Sequence, residues 1–129
     1  MADCDWMILC NYAFRDEIKR TCMIGTFDRI FAKTVPTMRT GMALAFKLIG
    51  EPEERVPFKM QLIRPTGGEL AQMGGETRLS DLGTNEINLN FAGVQLPDFG
   101  IYAFNLLIND QLVRAVTFTV SKPPEKPRL

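Results

Sequence analysis

The chain has 129 residues, with fifteen Lys and Arg against fifteen Asp and Glu and no histidine. That length suits one domain whose core needs no covalent staples. The charge balance leaves no net field to draw in nucleic acid or an anionic membrane. The missing imidazole removes the commonest general base, the Ser–His and Cys–His nucleophile pairs and most transition-metal sites.

No apolar run is long enough for a membrane-spanning helix. The first ten residues carry Asp3 and Asp5 but no basic residue, the opposite of a secretory leader. Cys4, Cys10 and Cys22 are an odd set without a Cys-x-x-Cys pair, which argues against a disulfide framework or a zinc site. These features together predict a cytoplasmic, non-catalytic protein with no metal or cofactor.

Trp6–Tyr12 is a short apolar run, predicted as a strand buried on both faces. Arg15, Asp16 and Glu17 make a charged turn, and Ile18–Gly25 is predicted to return as its hairpin partner. Residues 27–40 have poor periodicity and contain Pro36, so they read as an edge strand or a crossover between sheets. Met42, Leu44, Phe46 and Leu48 alternate between Gly41 and Gly50, which predicts a strand; a short helix is the alternative, since Ala, Met, Leu and Lys also favour helices.

Phe58, Met60 and Leu62 alternate in a strand that ends at the Pro65–Gly68 turn. Glu69–Met73 is predicted as a short strand broken by Gly74-Gly75, with a polar loop over 76–85. Ile87, Leu89 and Phe91 alternate with Asn88, Asn90 and Ala92. Tyr102, Phe104, Leu106 and Ile108 share one strand face, and Asn109-Asp110-Gln111 is turn chemistry before a second strand, Leu112–Val120. Parity matters at this hairpin. An odd loop, or a bulge at Gln111, sets Phe104 opposite Val116 and Tyr102 opposite Phe118, which are favourable cross-strand pairs. Arg114 then falls near the core end of the sheet and must snorkel.

Eight or so short strands with Gly and Pro turns predict an all-β sandwich of antiparallel strands in two sheets. The domain spans 1–120, and 121–129 is a Pro-rich tail expected to be extended and mobile.

Asp98, Gly100 and Tyr102, followed by Phe104 where a cysteine would stand, resemble the tyrosine corner of immunoglobulin-like domains. The resemblance implies a phenol that bonds back to the upstream backbone, without an inter-sheet disulfide. More widely, five features are similar to an uncharacterised family of small bacterial β-sandwich proteins. They are Asn11-Tyr12-Ala13, Gly25–Ile30, the strand around Leu44, the Arg64-Pro65-x-Gly67 turn and Gly100–Phe104. That resemblance implies an immunoglobulin-like β-sandwich and supplies no activity or site residue.

Phe27, Asp28, Arg29 and Phe31 cluster outside regular alternation and are candidate partner contacts, since aromatics and Arg serve as anchors. Alternatively, Phe27 and Ile30 plug one end of the sandwich while Asp28 and Arg29 pair locally. Glu51, Glu53 and Glu54 read as a solvated turn before a calcium site. The Gly67-Gly68 and Gly74-Gly75 pairs are turns, since no P-loop lysine follows them. Asn88 and Asn90, with Gln72, offer amides to a sugar. The leading expectation is a non-catalytic module that binds another protein or a second copy of itself, through 27–40, the tail or an exposed strand edge. A carbohydrate- or small-ligand-binding module working through its loop ends is the alternative, and a histidine-free enzyme comes third.

Overall fold

A computed structural model describes residues 2–124. Eleven strands occupy it: β1 (Asp3–Arg15), β2 (Thr21–Thr26), β3 (Arg29–Phe31), β4 (Thr37–Arg39), β5 (Met42–Ile49), β6 (Arg55–Ile63), β7 (Glu69–Arg78), β8 (Thr84–Phe91), β9 (Val94–Leu96), β10 (Gly100–Ile108) and β11 (Gln111–Ser121). One sheet runs β2-β1-β5-β8 and faces a second of order β3-β11-β10-β6-β7, while β4 and β9 form a small two-stranded piece. The pairing of β1, β5 and β8 against β6, β10 and β11 is the A, B, E against C, F, G arrangement of an immunoglobulin-like sandwich. The number of strands exceeds the eight expected, because three-residue strands span only one period-two repeat and leave too little alternation to read. The expected tail falls outside the described residues from 125 onward.

The 27–40 segment does both things expected of it. Chain direction carries β3 to the edge of the five-stranded sheet, where it pairs parallel to β11, the one departure from antiparallel pairing among the described strands. The 41–50 segment is a strand, with Leu44 and Phe46 pointing into the sandwich and Ala43 and Ala45 pointing out, all fully buried. Gly74 and Gly75 do not break β7. A Cβ at Gly75 would stand 3.2 Å from the Phe58 ring, so glycine lets this strand run close over β6 as far as Arg78. Consequently the polar loop expected over 76–85 shortens to a tight connection into β8.

The β10–β11 register is the predicted one, with Tyr102 opposite Phe118 and Phe104 opposite Val116. Its mechanism differs. Asn109 and Asp110 both take positive φ (51° and 64°), which makes a two-residue turn. The extra residue enters further along, where the pairing slips between Leu106 and Leu107. Arg114, beside this bulge, turns its guanidinium across to β1 and donates to the Cys4 carbonyl (2.7 Å) and the Asp5 carbonyl (3.1 Å).

The core is aromatic along one line. Tyr102 stacks on Phe118 (5.2 Å between centroids), Phe118 lies 5.9 Å from Phe104, and Phe104 stacks on Phe91 at 5.6 Å. Each such pair contributes about 0.5–1.5 kcal/mol beyond its buried area.

A second apolar layer lies outside the four-stranded sheet. Cys10, Ala13, Ala43 and Ala45 are buried there, with Trp6 and Met23 packed on them. Pairing of β1 with β5 ends at Cys10, and the rest of the β1–β2 hairpin crosses to β8. The Asn90 amide donates to the Ala13 carbonyl (2.8 Å) and accepts from the Ala13 N–H (3.2 Å); Arg15 donates to the Glu86 carbonyl and Thr21 to the Glu86 carboxylate. Burial on both faces of β1 therefore holds for Leu9 and Cys10, whereas Tyr12 stays exposed on the outside of the hairpin.

Candidate protein-interaction surface

The four residues singled out at 27–31 separate into two roles. Phe27 is half-buried, edge-on to Phe118 at 6.3 Å, with the Arg39 guanidinium 4.5 Å above its ring. Arg39 is fixed in turn by bonds to the Gly41 carbonyl (2.9 Å) and to Asn11. Phe27 and the buried Ile30 therefore plug one end of the sandwich. Asp28 contributes its carbonyl to the Thr119 N–H at 2.9 Å, and no ion pair joins it to Arg29. Arg29 and Phe31 point away from the core on β3, 5.9 Å apart, with Phe31 54% exposed.

Beyond these two side chains lies the outer face of the five-stranded sheet. Inward placement of Tyr102, Phe104 and Leu106 forces Ile101, Ala103, Asn105 and Leu107 outward. In register beside them stand Thr119, Thr117 and Ala115 of β11, and Ile63 and Gln61 of β6. None of these nine side chains is charged, and Ile101 is 61% exposed. Two outward charges stand on β6 beyond this patch: Lys59, 3.9 Å from Asp110, and Arg55, 3.4 Å from Glu76 of β7. At the lateral edges stand Arg29 on β3 and, on β7, Glu69 at one end with Glu76 and Arg78 at the other.

Between the free edges of β7 and β8 the sandwich opens into an apolar groove of about 540 Å³, floored by Met60, Leu62, Phe91 and Phe104, with Gln72, Asn90 and Gln95 among its lining residues. Ala71, small and inward on β7, leaves room for this gap. Trp6 lies on the far sheet and does not line it. Of the amides considered for a sugar, Asn90 is engaged with Ala13, while the Asn88 Oδ1 is buried without a hydrogen-bond partner.

Asp98, Gly100 and Tyr102 form the expected corner. The Tyr102 hydroxyl donates to the Asp98 carbonyl (2.9 Å) and accepts from the Asp98 N–H (2.8 Å). Gly100 has φ 126°, and a Cβ there would lie 2.8 Å from Pro65. The Asp98 carboxylate holds Arg64 at 2.9 Å, which ties the corner to the β6–β7 turn. Burial pushes the Tyr102 phenol above its ordinary value. The same cause raises the Cys4 and Cys10 thiols, so Cys4 is a buried core group and not the accessible thiol of a loose end. In the acidic run, Glu54 accepts from the Glu51 N–H at 2.9 Å and Glu53 lies 3.7 Å from Arg78. No group of three or more potential metal ligands converges among the described residues.

The uncharged outer face escaped the reading of the sequence. Thr, Ala and Asn at alternate positions of a strand look like ordinary solvated positions until the register places them side by side. The groove needed knowledge of which strands end each sheet, which no local pattern carries.

No curated protein matches the chain. A crystal structure of an immunoglobulin-like protein from Pseudomonas aeruginosa is similar, with 15% identity, a TM-score of 0.49 and coverage of 93% of this chain and 96% of that one. The family model that matches covers residues 5–121, so the chain belongs to DUF6941, a family of unknown function.

Proposed function

We propose that this chain is a non-catalytic binding or assembly domain that acts through protein–protein contacts, and that its contact surface is the outer face of the five-stranded sheet. One observation carries the reading. In a protein whose residues are 23% charged, nine contiguous outward side chains on three adjacent strands carry no charge, and the outward charges of β6, Lys59 and Arg55, lie beyond one end of the patch. Depletion of charge at the centre of a patch, with charge kept to its rim, distinguishes interface cores from solvated surface. Phe31 and Arg29, of the residue types favoured as anchors, stand at its margin. The absence of histidine supports a role without catalysis. Three free cysteines, two of them buried, support a reducing, cytoplasmic location.

Thr117→Arg plants a charge at the middle of this face without touching the core. Size-exclusion chromatography with light scattering, run on the protein with whatever protein co-purifies from its host, reads the result. Loss of association in the variant is expected; association that survives it overturns the reading.

The groove favours a second reading, a small apolar ligand held between β7 and β8. Native mass spectrometry showing a bound small molecule that disappears on Ala71→Trp would favour it. Selective binding on a glycan array would favour the carbohydrate form.

A further inference from the structure

We propose that the occupant of this face is a second copy of the same chain, packed sheet against sheet about a two-fold axis that runs parallel to the strands. The inference rests on the reading of the face as a contact surface and goes further by naming the partner and its orientation.

Charge selects the arrangement. The β3 edge carries Arg29, and the β7 edge carries Glu69 near the same end; Glu76 and Arg78 stand at the far end of β7, where Glu76 is already held by Arg55 at 3.4 Å. A two-fold axis in the plane of the face and along the strands lays the β3 edge of one copy over the β7 edge of the other. Arg29 then meets Glu69 twice, once on each side, as isologous symmetry requires. An axis across the strands would instead lay β3 on β3 and β7 on β7, and would set each Arg29 apart from Glu69.

Position along the strands agrees with this. Arg29 is level with Thr119 and Ile101, whereas Glu69 is level with Ile63 and Ala103, two residues away. At about 3.3 Å per residue this offset is roughly 7 Å, within the reach of an arginine and a glutamate extended toward each other. Lys59 needs no partner across the interface because Asp110 already stands beside it.

Area agrees as well. Four inter-strand spacings of about 4.8 Å and nine residues of β10 give a plane of roughly 600 Å² before side-chain relief is added. A specific interface takes about 600–1,000 Å² from each partner. The small outward side chains of Ala103, Ala115 and Thr117 leave a low relief that lets two sheets approach to about 10 Å.

Sedimentation equilibrium of the full chain over a dilution series tests the proposal, with circular dichroism confirming that each variant is folded. The wild type is expected to be a monomer–dimer equilibrium. Thr117→Arg, or Ala115→Arg should the first fail to fold, is expected to leave only monomer. Arg29→Glu and Glu69→Arg are each expected to weaken the dimer roughly tenfold, because each sets like charges opposite one another. The double variant is expected to recover most of that loss. A wild type that is monomeric throughout the series overturns the second copy as occupant. A dimer indifferent to both Thr117→Arg and Ala115→Arg overturns the face itself. A dimer that Thr117→Arg breaks, but that ignores the charge exchanges, overturns the orientation and leaves the face standing.

Discussion

On the four-stranded sheet, Ala43 and Ala45 point away from the core and are still completely buried, because the bent β1–β2 hairpin lies across them. On the five-stranded sheet, Ala103 and Ala115 hold equivalent outward positions, and no described residue covers them. The same residue type, in the same pleat, is core in one place and surface in the other. The difference lies in what the chain folds back upon. Asn90, Glu86 and Thr21 fasten the hairpin to the first sheet, and no comparable segment among the described residues reaches the second. Among the described residues, one outer face is covered by the chain itself, and the other keeps its uncharged patch uncovered.

The largest expected effect comes from breaking the covered side. Ala45→Arg forces a charge beneath the hairpin and is expected to cost at least ~3 kcal/mol, read from urea denaturation. At the corner, Tyr102→Phe strips both hydrogen bonds from the Asp98 backbone and is expected to cost about 1–3 kcal/mol by the same measurement.

Alkaline pH acts on both layers through buried neutral groups. Burial holds the Cys4 and Cys10 thiols and the Tyr102 phenol above their ordinary values of 9.0 and 10.0, so the unfolded chain releases these protons first as pH rises. Stability is therefore expected to be level with respect to these groups below about pH 9 and to fall above it. Urea midpoints across that range check the sign, and Cys10→Ala should reduce the loss that begins at the lower end. The smallest effect on folding belongs to the bare side. Thr117→Arg, whose consequence for association is large, is expected to leave the stability of the monomer within about 0.5 kcal/mol of the wild type.

The contrast between the two faces also marks where sequence stops informing. Alternation from Tyr102 to Ile108 identified the inward side chains, and parity set Tyr102 against Phe118, because cross-strand preferences act between residues close in the chain. Placement of the extra residue was missed. Asn109 and Asp110 accept left-handed conformations easily enough to close a two-residue turn, so the bulge moved along the strands to the Leu106–Leu107 step. Gly74-Gly75 was read as a break because glycine is usually punctuation; here it is the close approach to Phe58 that calls for it. Of the candidate contacts, Phe31 and Arg29 are on the surface, and Phe27 is not free to act because Phe118 and Arg39 hold it. The face itself depends on pairings between strands as far apart in sequence as Arg29 and Thr119, and no window of local pattern spans them.

The central claim, that the uncovered face of the five-stranded sheet is the contact surface, is tested most directly by intermolecular methyl NOEs in a sample that mixes two differently labelled preparations of the chain. Contacts from the methyl groups of Ile63, Ile101 and Leu107 are the expected result. Contacts that arise instead from Ile18 and Ile24 on the hairpin, or from Met73 and Leu70 beside the groove, would contradict it.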